Sequence, residues 1–242
     1  MQTLKLRDVI LLAERLPADL GEKGSRVSDG PKIDPECKAI EDDAHVVCAM
    51  VSSYFRGLKI ETPDFWRICV DINHREQRHL HNQTSGLGTL GFYIDVDIVK
   101  YRKLNEEEKF RFLASLIISV VVEVLDSRKI ETNEVSNIYE KLDFDNRYCE
   151  YHDRGAISPD RSKRAFLRVR QHMAFASICV VIRKKSKVIF EKCIDKTSPN
   201  PFAFTIYFDK LVWKSDELLV FESDNIPNSG AVFEIQKFET RK

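Results

Sequence analysis

No stretch of this chain stays apolar long enough to cross a membrane. The longest run, Leu113 to Val122, is interrupted by Ser115 and Ser119 and falls far short of the ~20 residues a span requires. Met1 to Leu16 is broken by Lys5, Arg7, Asp8, Glu14 and Arg15, so a signal peptide, with its uninterrupted apolar segment, is not expected. Neither sign of charge is in excess: 38 Lys and Arg balance 38 Asp and Glu, which removes bulk charge as an argument for nucleic acid or a membrane surface. The six cysteines (Cys37, Cys48, Cys69, Cys149, Cys179, Cys193) are scattered without a C-x-x-C pair. They read as six reduced thiols in a cytoplasmic protein. Catalytic signatures are missing as well: no Walker loop, no G-x-S-x-G and no H-E-x-x-H occurs. Gly86 to Gly91 has the glycine spacing of a dinucleotide loop, but a strand and not a helix is predicted after it, so it reads as a turn. Neither an enzyme nor a resident cofactor is expected.

What is present is enough for a full-sized core. Apolar residues make up 43% of 242 residues, sufficient for one large domain or two small ones and incompatible with wholesale disorder. The balanced charge hides a split. Residues 161–242 carry 16 Lys and Arg against 9 Asp and Glu, a net of +7, which leaves −7 on residues 1–160. The chain therefore divides into an acidic part, 1–160, and a basic part, 161–242, packed as one compact unit.

Periodicity fills in the elements. Leu4 to Leu16 predicts a short helix, Pro17 to Glu36 a long loop, and Asp42 to Phe55 a helix ended by Gly57. Trp66 to Ile72 and Phe92 to Ile98 alternate with the period of strands. Asn105 with Glu108 forms a capping-box pair, and Glu106 and Glu107 suit the positive end of a helix dipole. That helix runs to about Leu125, with Phe110, Leu113, Ala114, Ile117, Val121 and Val124 as a buried stripe. A shorter helix follows from Thr132, and Asp143 to Ser162 reads as a linker. Beyond it lie short β-rich runs at 164–170, 173–183, 188–194, 202–208, 218–221 and 232–235. The fold class is α+β: mixed strands and helices around a central buried helix, then an antiparallel β-meander.

Three groups of residues are candidates for function. His74, His79 and His81 include an H-x-H pair, the start of a metal site and of a metal-dependent enzyme. Arg75 and Arg78 sit among them and repel a cation, so a polar loop is the preferred reading and no metal is expected. Asp95 and Asp97 pair two carboxylates that suit Mg²⁺ or acid–base work, although the solvent face of an edge strand explains them as well. With Glu106 and Glu107 they form an acidic patch, the second choice for a binding site. First choice is the basic strand: Arg164, Arg168, Arg170 and His172 share one face with Phe166, while Ala165, Leu167 and Val169 share the other. Such a face suits carboxylates of a protein partner or the phosphates of nucleic acid. Pairing with the acidic first part is the plainer alternative.

The join Ile94-Asp95-Val96-Asp97-Ile98 followed by Tyr101, Leu104, Glu108, Lys109, Phe112, Leu113 and Leu116 resembles families of bacterial immunity proteins that neutralise polymorphic toxins. Arg161 to Arg170 and the meander with Trp213 are similar to the C-terminal parts of such proteins, and the resemblance spans residues 90–220. It implies a non-enzymatic cytoplasmic inhibitor whose partner is a cognate protein toxin, with no catalytic residues to carry over. The alternative is a nucleic-acid-associated protein using the face from Arg164 to His172.

Overall fold

Val9, Leu11 and Ala13 are buried while Asp8, Ile10 and Leu12 are half-buried, the two-residue period of a strand. In the computed structural model, residues 4–13, 35–73, 83–85, 88–223, 226 and 230–234 are described. Their contacts form two units, Met1–Arg147 and Tyr148–Lys242. The segment predicted as a first helix is instead β1 (Leu4–Lys5) and β2 (Asp8–Ala13). Its apolar residues fit both periods, and parallel pairing of β2 decides for the strand.

Helix α1 (Pro35–Leu58) starts earlier than expected and runs past Gly57. Pro35 occupies the first turn, where its missing N–H costs nothing. Asp42 and Asp43 consequently lie inside the helix and do not cap it. Cys37, Ile40, Ala44, Val47, Val51 and Phe55 form the buried stripe. Strand β3 (Glu61–Thr62) pairs with β1, and β4 (Arg67–Asn73), β5 (Gln83–Ser85) and β6 (Thr89–Asp95) join β2 in a four-stranded sheet ordered β2-β4-β6-β5. The first three are parallel and β5 is antiparallel to β6. One face of this sheet presents Val9, Leu11, Ile68, Val70, Phe92 and Ile94, all buried. Helix α1 lies against β2.

β6 ends at Asp95, before the limit expected at Ile98. Asp97 accepts the Lys100 N–H at 2.9 Å and so caps the short α2 (Ile98–Arg102). Asn105 then starts α3 (Glu106–Ser127) with the expected capping box, and Phe110, Leu113, Ala114, Ile117, Val121 and Val124 are buried. α3 packs on α1. Asp43 of α1 ties the helices together by accepting from Tyr101 Oη at 2.8 Å and Lys109 Nζ at 3.0 Å. The last predicted helix is two short ones, α4 (Asn133–Ser136) and α5 (Ile138–Lys141), with Val135, Ile138 and Leu142 inward.

In the second unit the expected linker contains two strands, β7 (Cys149–His152) and β8 (Ala156–Ile157), both paired with β9 (Lys163–Gln171). That pairing puts the boundary between units at Arg147/Tyr148 and not after residue 160. Gly155, between β7 and β8, has φ +67°, and a β-carbon there would collide with the Ala165 carbonyl oxygen. β10 (Ala176–Lys184) and β11 (Lys187–Thr197) extend the sheet to the order β11-β10-β9-β7. Residues 202–208 do not form a strand. Asn200 caps α6 (Pro201–Thr205), accepting the Phe202 N–H at 2.9 Å. β12 (Leu211–Trp213), β13 (Leu218–Phe221) and β14 (Val232–Glu234) make a second antiparallel sheet. Leu167, Val169, Ile178 and Val180 of the larger sheet share one core with Phe204, Leu219, Phe221 and Phe233. Trp213 Nε1 donates to the Ala156 carbonyl at 3.1 Å. The molecule is thus α+β, with a mixed sheet packed on helices followed by antiparallel sheets.

Candidate functional site

Strand alternation sends Ala165, Leu167 and Val169 into the core, so Arg164, Phe166, Arg168 and Arg170 share the opposite face of the five-stranded sheet, with Phe166 and Arg168 buried. Register adds neighbours. Glu150 and His152 of β7 oppose Arg170 and Arg168, and Ser177, Cys179, Val181 and Arg183 of β10 continue the face. Glu191 of β11 opposes Val181.

The guanidinium groups on this face are held individually. Arg168 is 9% exposed and ion-paired to Glu191 through Nη2, while its Nε lies 3.9 Å from Glu150. Burial, and then the charge of Arg170, draw its pKa below the usual value. Arg170 donates from Nε to Glu150 at 3.1 Å and lies over the Tyr148 ring at 5.6 Å. Arg164 is exposed and donates from Nη2 to the Arg154 carbonyl at 2.5 Å. Glu150 also contacts His152 Nε2 at 2.9 Å. Burial alone would raise its pKa, but Arg170, Arg168 and His152 outweigh that and hold it low. Phe166 is gripped by His152 edge-on at 5.1 Å and by Arg183 at 4.9 Å. The carboxylates that pair with this face are therefore on other strands of the same sheet, β7 and β11. His172 lies just past the end of β9 and not on its strand face as expected, with the rings of Tyr148 at 5.5 Å and Phe175 at 4.7 Å.

The acidic candidates separate. Asp95 ends β6, where both carboxylate oxygens are buried without a hydrogen bond, and Asp97 is spent on capping α2. They do not share one strand face, and β6 is not an edge strand because β5 flanks it. Glu106 and Glu107 are exposed in the first turn of α3. Glu107 pairs with Arg111 at 2.9 Å and Arg147 at 3.3 Å, which hold its carboxyl low. His74, His79 and His81 lie outside the described residues.

Among the described residues, Glu41, Asp42 and His45 bring three ligand atoms within 4.8 Å of one another. Lys38 Nζ already supplies a cation there, 2.8 Å from Glu41 and 2.7 Å from Asp42. Burial keeps His45 below its ordinary pKa. No protein-family model, curated protein or solved structure matches the chain.

The structure adds features that sequence reasoning missed. Cys179 and Cys193, opposed on β10 and β11, form a disulfide, which corrects the expectation of six free thiols. They lie fourteen positions apart in sequence, and only the hairpin register brings them together. Cys48 and Cys69 remain thiols, pushed up by burial to about 12 and about 11. Phe202 is 86% exposed and Ile206 54% exposed, an apolar knob at α6 that the strand reading of this segment concealed.

Proposed function

We propose that the chain is a non-enzymatic binding protein of the immunity type, which neutralises a protein toxin in the cytoplasm by covering it. Its contact surface is the accessible part of that sheet face, at Arg164, Arg170, Arg183 and Glu191, around the buried Phe166, Arg168 and Val181. One observation carries this reading: Arg164, Arg168, Arg170 and Arg183 gather on one sheet face with Glu150, Glu191 and Phe166, where Arg168 and Arg170 pair with the carboxylates and Arg164 stands opposite Arg183. Arginines already oriented by paired carboxylates lose little freedom on binding and can grip carboxylates of a partner in two-pronged fashion. Such charge patterns also discriminate among partners and speed encounter. The same pairing argues against the nucleic-acid alternative, since Glu150 and Glu191 offset the positive potential that phosphate binding requires. The resemblance of residues 90–220 to immunity proteins supports the same class.

Arg164 and Arg170 are the residues to change, because Arg168 is too buried for a clean test. The partner is sought as the product of the adjacent gene and verified by co-purification. The double reversal Arg164→Glu and Arg170→Glu should weaken its binding by more than about 1.5 kcal/mol and flatten the salt dependence, measured by titration calorimetry at two salt concentrations. Unchanged affinity and salt response would reduce this face to solvated surface. Tight binding of single-stranded DNA or RNA by the unmodified protein would instead favour the alternative.

A further inference from the structure

The disulfide between Cys179 and Cys193 fastens the edge strand β11 to β10. Its two sulfurs differ in access: Cys179 is 2% exposed, whereas Cys193 is exposed. A thiol arriving from solvent meets Cys193 first. On the other side of β10, pairing with β9 sets Arg168 directly opposite Cys179. Opposed residues on antiparallel strands hold their β-carbons about 4.5–5.5 Å apart on the same face. Arg168 is itself buried, and its Nε has no hydrogen-bond acceptor. Burial disfavours a thiolate at Cys179, and Arg168, whose Nη2 pairs with Glu191 but whose Nε donor is unused, offsets that cost and favours Cys179 as the leaving group of an exchange. Thiols persist at Cys48 and Cys69, so the bridge is not one strut of a disulfide framework.

We propose that the Cys179–Cys193 bridge is a thiol-exchange site for low-molecular-weight thiols of the glutathione or dithiol class. Cys193 is the attacked sulfur, Cys179 the leaving sulfur, and Arg168 the positioning residue that favours its departure. The reductant thiolate attacks Cys193 Sγ and bonds to it. The bond between the two cysteines breaks, and its electron pair passes to Cys179 Sγ. A second thiolate, from the same dithiol or another glutathione, attacks the reductant sulfur of this mixed disulfide and expels Cys193 as thiolate. The reductant ends as its own disulfide, having given up two electrons, and the released cysteines take up protons from water according to pH. His152, Arg168, Cys179 and Cys193 form one row across this face, and Glu191, which pairs with Arg168, stands two residues before the attacked sulfur on β11. The exchange itself rests on geometry and stands whether or not that face binds a toxin.

The test uses the full-length oxidised protein and reduced glutathione. Acid quenching, alkylation with N-ethylmaleimide and peptide mass mapping locate the mixed disulfide. Glutathione on Cys193 with alkylated Cys179 is the expected result. Glutathione on Cys179, equal labelling of both, or a bridge that opens only when the protein unfolds would overturn the proposal. A second measurement follows the rate of reduction by dithiothreitol. Arg168→Gln should slow it roughly tenfold, and Arg168→Lys should restore most of the loss, because charge at this position sets the leaving-group pKa. Equal rates for folded wild-type and variant proteins would remove Arg168 from the exchange. If Arg168→Gln does not fold, the mapping of the wild-type protein decides alone.

Discussion

Arg168 and Arg170 sit two residues apart on β9, and both reach Glu150, but burial makes them energetically unlike. Arg168 has a side chain 11% exposed and pairs with Glu191, whereas Arg170 is 36% exposed. Reversing Arg168 to Glu would bury an uncompensated negative charge beside Glu150 and Glu191. The cost should be about 3–5 kcal/mol. Arg170→Glu should cost about 1 kcal/mol or less, because solvent screens an exposed pair. Urea unfolding of both variants at pH 7 checks the contrast, and equal losses would contradict the burial assigned to Arg168. The shared face of these arginines was legible from alternation alone. Which carboxylates hold them was not, since Glu150 and Glu191 reach the face only through cross-strand register, which no local pattern encodes. The bridge between Cys179 and Cys193 was hidden for the same reason.

Helix α3 was readable almost to the residue, because its start is written locally. Asn105 and Glu108 satisfy each other's backbone N–H groups, at 3.0 and 2.9 Å, and the stripe from Phe110 to Val124 fixes its inner side. Asn105→Ala should cost about 1 kcal/mol. Ile117→Asp, at a position with no exposure, should cost several kcal/mol by burying an unpaired charge. Thermal and urea unfolding measure both, and a stable Ile117→Asp protein would mean that this side does not face the core. Strand β2 carried no such local instruction. Its helix-compatible spacing is overridden by parallel pairing with β4, a neighbour more than fifty residues away in sequence. Segment 202–208 misled in the opposite sense: its aromatic residues have strand propensity, but Asn200 and Pro201 supply a cap and a first turn. β7 and β8 escaped notice because each is too short to establish a period.

Over the whole molecule, buried titratable groups set the pH range of stability. Burial raises Cys48 to about 12, Cys69 to about 11 and Tyr207 to about 12, with Asp195 adding to the last. These folded values exceed the unfolded ones, so their contribution is complete below pH ~9 and is lost as pH rises through 11 to 12. On the acid side, His45 and Glu150 have depressed pKa values. Their contribution is present above the unfolded values, 6.5 and 4.5, and disappears as pH falls through the lower folded ones. Asp153, raised by burial, acts in the opposite sense and offsets part of the acid loss. Thermal midpoints across the pH scale should therefore form a plateau near neutrality with a fall on each side, and a midpoint still rising above pH ~11 would contradict the burial of these thiols and phenols. The two units should also differ in the order in which they acquire structure. β9, β10 and β11 are joined by short turns, so their pairing closes small loops at little entropic cost. The parallel sheet must wait while β2, the whole of α1 and β4 are assembled around one another, and β6 must then add itself. On a ribosome the half made first is thus the half with more distant pairing to complete, and until β4 emerges β2 is an unmatched edge for chaperones to shield.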